Sequence, residues 1–493
     1  MVQAVPCAGR AMGRFRRARS GTLCIFAAAV LLEAASHRMG SGTGTNLFVL
    51  PPQTLKESVS QTSTDSSTAA TTANLAKNIV GAGVLSLPSG AAKVVDAASS
   101  SGVGSHDMIV TALVLLYLVF GALNAYGFYL IGEVCERTGA RTYQEAWTKT
   151  LGSRFAWMPS AASVICSFTG MVACIAVLGD TASQILTSMG QDMMPKEILI
   201  GGISSLVLFP LCLLPSLSPL AFASVLGLLG VTVLSLVMLL RWFDGSYELG
   251  GSFYSDAKTT LDLLTKTQAP SAQAPDDLLF QQVCIFAAIL SNAFSAHFNA
   301  PAIFNELEPQ PDVNGNCSRL PQLAKVTAMA FALSGFIFWA ITMAGVETFG
   351  AQADASILNS YSAADPLVAV ARVGLGLCVL FEFPLLERCF RQTAVEVLSL
   401  PKWVEQHALT VASSVGLSVA LAFLPGFGLD KTSALGGALG ASLLIYIAPA
   451  LMALNLSPAK SRQGYPEAAT GLREVPGQEA LLRGVAGLGS LLG

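Results

Sequence analysis

The sequence predicts an all-α polytopic membrane protein, a helical bundle of two runs of five spans, and three observations carry that prediction. Of 493 residues, 53% are hydrophobic and only 12% are charged, whereas soluble chains carry about 25% charged residues. The apolar residues gather into about ten runs, each long enough for a hydrocarbon core of ~30 Å. The longest polar break, 241–278 with its "SAQAPDD", stands midway and leaves five runs on either side.

Residues 1–40 read as a targeting or leader segment. Arg10, Arg14, Arg16, Arg17 and Arg19 precede the first acid, Glu33, and the apolar run "TLCIFAAAVLLEA" is too short to span. Residues 41–72 read as a disordered Ser/Thr-rich linker with no core-forming pattern. The transmembrane domain is expected over 73–456, with spans near 73–95, 108–133, 160–187, 197–214, 219–240, 279–304, 325–347, 366–386, 407–424 and 433–454. The remainder, 457–493, is a tail or a truncated last helix: "QEALLRGVAGLGSLLG" starts an eleventh span that is too short to cross and carries Arg483.

Basic residues mark the topology, because cytoplasmic loops carry an excess of lysine and arginine. One set of loops holds Arg137, Arg141, Lys149, Arg154, Arg319, Arg388, Arg391 and Lys402; the other holds Lys93, Lys196, Arg241, Lys258, Lys266 and Lys431. The first span is therefore entered from the cytoplasmic or equivalent side. The compartment stays open between plasma membrane, a vacuole-like organelle and a plastid. A net charge of −3 without a basic patch gives no footprint for nucleic acid. Cysteines such as Cys166, Cys174 and Cys378 lie inside apolar runs without metal-ligand spacing, so they read as small buried hydrophobes and no metal site is expected.

Two spans depart from the apolar pattern, and they occupy matching places. The first holds "NLAKNIVGAGVLSLPSG" (74–90), with Lys77, Gly81, Gly83 and Pro88; the sixth holds "FAAILSNAFSAHFNAPAIFNEL" (286–307), with Asn292, Ser295, His297 and Pro301. Irregular backbone at membrane depth is tolerated where it is buried in protein or lines a cavity. A matched pair of interrupted segments points to an inverted-repeat transporter with a midplane site. The competing reading is two helices merely kinked for packing.

"NLAKNIVGAGVLSLP" resembles the first helix of the amino acid/auxin permease family, which includes sodium-coupled neutral and proton-coupled amino acid transporters. The likeness continues through "RTYQEAWTKTLG", "LGD" (178–180), "AFSAHFNAPAIFNEL", "FGAQADASILNSYSAADPLVAVAR", "FEFPLLERCFR" and "LGGALGASLLIYIAPAL", covering 72–456 in order. The resemblance implies a LeuT-type fold of five plus five inverted helices, alternating access, and an amino acid as the small-molecule partner within the lipid bilayer.

That implication gives the breaks a task. A helix broken at Gly81–Gly83 exposes amides at the N-terminus of its second half, where the dipole also favours an anion. Gly81, Ala82, Gly83 and Val84 are thus expected to take the substrate carboxylate. Carbonyls around Asn292 to Ser295 would take the ammonium, with Phe294 and His297 lining the side-chain pocket; a packing or gating histidine is the alternative for His297. In sodium-coupled relatives the place of Lys77 is typically asparagine and that of Glu382 a hydroxyl residue, so here an ammonium and a carboxylate stand where sodium would bind. Lys77 and Glu382 are therefore candidate coupling residues, unless Lys77 simply snorkels to the interface. Asp180 is a third candidate, with helix-end structure as its alternative. The coupling ion is H+ or Na+, and no other cofactor is implied. No enzyme motif such as HExxH appears, nor a channel's repeated pore loop; a sensor on the same fold stays open as an alternative to a transporter, as does a sodium-coupled symporter. Nothing in the sequence speaks to oligomeric state.

Overall fold

The computed structural model describes residues 68–190, 195–214, 221–254, 275–311, 317–404, 407–424, 428–456 and 478–492. The expected leader, most of the Ser/Thr linker and the start of the tail lie outside them. Every expected span is realised as helix. The first comprises α1 (Thr68–Ile79) and, after a break, Ala82–Ser100, the two bent by 50°; the α-helical part of its second half is α2 (Leu87–Ser100). Its start at Thr68 lies inside what reads as linker: Thr72 Oγ1 donates to Thr68 O at 2.8 Å, and Gln322 Nε2 donates to Thr68 Oγ1 at 3.1 Å.

The next four spans are α3 (His106–Thr138), α5 (Trp157–Ser188), α6 (Lys196–Ile203) with its continuation to Cys212, and α7 (Ala221–Asp244). A short amphipathic α4 (Tyr143–Leu151) lies after α3. The second half holds α8 (Pro275–Ala293) with α9 (Ala300–Glu306), then α10 (Leu320–Phe349), α11 (Pro366–Val397), α12 (Ala408–Ala422) and α13 (Leu429–Asn455). Among the described residues, seven helices, or eight counting the bent pair, are long and apolar enough to cross a membrane. The fourth and ninth expected spans are shorter: α6 is interrupted by a π-helical stretch at Ser204–Leu208, and α12 has 15 residues. The expected eleventh is α14 (Gln478–Leu492), which packs on α13. A two-residue ribbon pairs Gln310–Pro311 with Cys317–Ser318, the one strand pairing described in an otherwise helical chain.

Helix ends follow local chemistry. Ser105 caps α3, where its side chain accepts from Met108 N–H, and Gly139 closes the same helix in a left-handed conformation that only glycine adopts freely. Asp365 caps α11 by accepting from the amides of Leu367 and Val368.

Packing shows the two halves to be related. The first span touches the sixth, the second the seventh and the third the eighth. The swapped pairs match too: α5 lies on α13 as α11 lies on α7. On the side where the first span ends, Arg241 pairs with Asp244 within α7, and further ion pairs bridge different spans. Lys93 meets Asp430 at 2.7 Å, His106 meets Glu347 at 3.1 Å, and Arg241 meets Asp365 at 2.6 Å. On the entry side, Arg137–Glu133, Lys149–Glu145 and Arg391–Glu387 run within single helices.

Candidate functional site

The first break is built by glycine and completed by a distant carboxylate. The α1 ladder reaches Val80, whose N–H donates to Ala76 O at 2.9 Å. It lapses at Gly81 (φ −133°, ψ −164°), and the chain resumes as a 3₁₀ turn over Ala82–Ser86. A helix start leaves its leading amides without intrahelical acceptors. Val84 is already past that point: its N–H donates to Gly81 O at 3.3 Å. Of the four amides expected to take a carboxylate, Val84 is therefore engaged with its own backbone.

Gly81 and Ala82 face Glu382 on α11. A Cβ on Gly81 would overlap Glu382 Oε1 and lie 2.8 Å from its Cδ. The Ala82 amide, a leading donor of the resumed turn, lies close to the same carboxylate, while Glu382 Oε2 is buried with no hydrogen-bond partner. Gly83 faces the opposite way, its Cβ position 3.8 Å from Ala293 Cα, so the two breaks meet backbone to backbone.

Lys77 does not snorkel. It is 4% exposed, and its chain lies against Gly227 of α7. Its chain and the Cys378 thiol of α11 both lie against Gly227, and its ammonium is within electrostatic reach of that thiol, of Glu382 and of Cys174 on α5. A charge buried at this depth costs several kcal/mol unless compensated. The expected Lys77–Glu382 association is thus an electrostatic one, and no ion pair within 4.0 Å joins them.

The second break is differently furnished. Ser295 N–H donates to Asn292 O at 3.1 Å, so one of the carbonyls expected to receive an ammonium is spoken for. The Asn292 side chain instead turns to α13: a Cβ on Gly436 would lie 2.8 Å from Asn292 Oδ1 and 2.5 Å from Thr169 Oγ1. Ser295 Oγ is buried without a hydrogen-bond partner, beside Cys166, whose thiol is directed at Gly436 O at 3.8 Å. Phe294 is wholly buried, with Phe331 and Phe338 at ring distances of 6.0 and 4.9 Å.

His297 is likewise fully buried, with its Nδ1 left without a hydrogen-bond partner. Its Nε2 hydrogen-bonds Asn124 O at 2.9 Å, and Phe128 and Phe331 meet the ring edge-on. Asn124 Nδ2 donates to Tyr446 OH at 3.0 Å, which in turn meets Ser291 Oγ at 2.9 Å. This buried chain ties α3, α8 and α13 together beneath the break.

Asp180 belongs to the rim, not to the break. It pairs with Lys196 at the start of α6, and its other oxygen accepts from Asn359 Nδ2 at 3.1 Å. Asn359 also donates to Asp354 at 3.1 Å. Burial raises the Asp354 carboxyl above its usual range, against the Ser356 amide and Asn359, which lower it.

Thr169, Cys174, Gly227, Cys378, Gly436 and Tyr446 all reach the breaks without having been singled out as site residues. Gly436 and Tyr446 lie within the 12-residue π-helical stretch Gly436–Ile447, and such wide turns are frequent at functional sites. The signal available was the glycine density of "LGGALG"; the others carry none.

The transmembrane amino acid transporter family model matches residues 64–465. The chain belongs to this family. Within it, the sodium-coupled neutral amino acid transporter 7 of Mus musculus is 22% identical over 414 residues, covering 78% of this chain and 79% of that one. Vacuolar amino acid transporter 2 of Saccharomyces cerevisiae is 22% identical over 411 residues, covering 78% and 76%. Two mutants of the Eremococcus coleocola manganese transporter share the fold, with TM-scores of 0.53 and 0.52 at 11% and 12% identity, each covering 86% of this chain and 85% of the other. The family member described here is thus a multi-pass integral membrane protein of LeuT-type fold and an amino acid transporter rather than an enzyme.

Proposed function

We propose that this transporter carries neutral amino acids without sodium, driven by protons. The observation that supports this reading is the buried pair at the first break: Lys77 stands beside the Cys378 thiol, with Glu382 behind it against Gly81 and Ala82. An ammonium already fills the role of a bound cation there, and a second cation beside it would be repelled. The two side chains offset each other's charge, and Thr169, Asn292 and Ser295 at the second break, which meets the first at Gly83 and Ala293, are uncharged. Such a site suits a zwitterion whose own charges cancel.

The driving force is adequate. One charge moving through 100 mV supplies about 2.3 kcal/mol, which corresponds to roughly 50-fold accumulation. The test is uptake into proteoliposomes with sodium replaced by choline, across a range of external pH. Uptake that persists in choline and rises as the external side is acidified is expected. Strict dependence on sodium overturns the reading.

A further inference from the structure

Glu382 does more than balance Lys77. Its carboxylate lies against a backbone position whose side chain would displace it, Gly81. It also lies beside the Ala82 amide, the first of the donors freed by the break, within its electrostatic reach. A carboxylate on such an amide is what the break offers a substrate, and here the protein supplies the carboxylate itself. Its second oxygen, Oε2, is buried and unpartnered. An anionic oxygen in that condition forfeits solvation without a compensating bond.

We propose that Glu382 is a tethered competitor for the substrate's carboxylate, holding the Ala82 amide while ionised and releasing it when a proton arrives on Oε2. The proposal rests on the proton-linked reading above and gives it a mechanism. Two carboxylates cannot share one amide in a site of low dielectric, because their repulsion is barely screened there. Protonation removes that repulsion and leaves Lys77 as an uncompensated cation, which draws the incoming carboxylate to the break. The bonds balance: one O–H forms on Glu382, and the Ala82 N–H exchanges one carboxylate acceptor for another. When the substrate leaves on the other side, the proton leaves Oε2 and Glu382 takes the amide back. Each neutral amino acid therefore moves with one proton and one net positive charge. The ionisable groups facing Glu382 are Lys77 from α1, Cys378 from α11 itself and Cys174 from α5. Both thiols belong to the surroundings of the ammonium.

The geometry also explains why position 81 has no side chain. A methyl group there would push the carboxylate off the amide, so Gly81→Ala should weaken the competition as well as crowd the break.

The experiment uses the full chain in detergent or liposomes. Its probe is whichever standard amino acid most raises the thermal midpoint. Proton exchange on binding is measured by titration calorimetry in buffers of different ionisation enthalpy, together with affinity as a function of pH. The wild-type protein should take up close to one proton per bound amino acid above the pH at which Glu382 ionises, its affinity falling about tenfold per pH unit there. The Glu382→Gln variant, which presents the same shape without an ionisable oxygen, should take up none. Its affinity should vary by less than about twofold between pH 5 and 8, and it should exchange labelled for unlabelled substrate while failing to accumulate it on a pH gradient. If Glu382→Gln retains the wild-type proton uptake, the competitor role is wrong while proton linkage stands. If the wild-type protein takes up no proton and needs sodium, the underlying reading fails with it. Should Glu382→Gln not fold, the wild-type proton count alone decides: a value near zero at every pH where it binds overturns the proposal, and the methyl ester of the same amino acid must then show the same pH profile as the acid. If the proposal holds, the ester, having no carboxylate to compete, binds without the tenfold-per-unit decline.

Discussion

The two interrupted spans hold matching places in the two halves, yet they are finished in opposite ways. The first is bent by 50° and surrounds its break with charge, Lys77 and Glu382, of which one carboxylate oxygen has no partner. The second runs from 277 to 306 as one apolar segment whose ladder lapses over a few residues. It surrounds that lapse with packed rings and a hydrogen-bonded chain through Asn124, Tyr446 and Ser291. Pseudo-symmetry therefore repeats the backbone device and not its chemistry. The second break also leaves buried atoms without partners, Ser295 Oγ, His297 Nδ1 and Asn124 Oδ1, but they belong to neutral side chains. The unpartnered oxygen at the first is a carboxylate's, whose burial costs more and which a proton can neutralise. The first break is where coupling is expected and the second is its frame.

The largest effect should come from separating the charges. Lys77→Met leaves Glu382 buried without its neighbouring cation, a loss on the order of 3–5 kcal/mol, read as a lower thermal midpoint and little uptake. Lys77→Met combined with Glu382→Gln removes both charges and should recover most of the stability but none of the pH-driven accumulation. A double variant as unstable as the single one would show that Lys77 acts through packing against Gly227 and Cys378 instead.

A smaller effect is expected at the second break. His297→Gln disrupts a ring held by Asn124 O, Phe128 and Phe331, at a cost of ~1–3 kcal/mol. The pH profile of uptake should keep its shape, since the ring lies outside the charged pair. A flattened profile would move the coupling site to the second break and dissolve the contrast. Tyr446→Phe removes the hydroxyl between Ser291 and Asn124 and should cost ~0.5–1.5 kcal/mol, seen in thermal melts with substrate affinity little changed.

Much of this contrast was legible before any coordinates. Hydropathy and the midway polar break gave the bundle, and Gly81–Gly83 with Asn292–Pro301 gave both interruptions, because glycine, proline and polar residues at membrane depth have few other uses. Lys77 and Glu382 stood out for the same reason. What stayed hidden was direction. No sequence rule says that the Glu382 carboxylate reaches back to Gly81, that Asn292 turns to Gly436, or that Phe294 points into rings of α10. Those contacts join residues far apart in the chain, and they depend on how the helices rotate as they pack. The engagement of Val84 was closer to hand, since a 3₁₀ turn begun at Ala82 must close on Gly81. His297 illustrates the general limit: an imidazole amid aromatic residues reads equally as pocket or as packing until its hydrogen-bond acceptor is seen.

The smallest effect tests the rim against the breaks. Asp180 pairs with Lys196, whose side chain is 42% exposed, so the pair is screened by water and contributes about 0–1 kcal/mol. Asp180→Asn leaves Lys196 free to hydrate and keeps a group able to meet Asn359, so the midpoint should move little. One consequence is specific. Asp180 is among the charges that raise the Asp354 carboxyl. A carboxyl raised in the folded state contributes stability that is present at low pH and lost as pH rises through its folded value. Without the Asp180 charge, Asp354 falls back toward its usual range, so the loss of stability on going from acid toward neutral pH becomes shallower. Melting curves for Asp180→Asn between about pH 4 and pH 7 should show that shallower slope, while the pH profile of uptake is retained. If instead the uptake profile collapses and the melting slope does not change, the proton is taken at the rim, and the charged break serves structure alone.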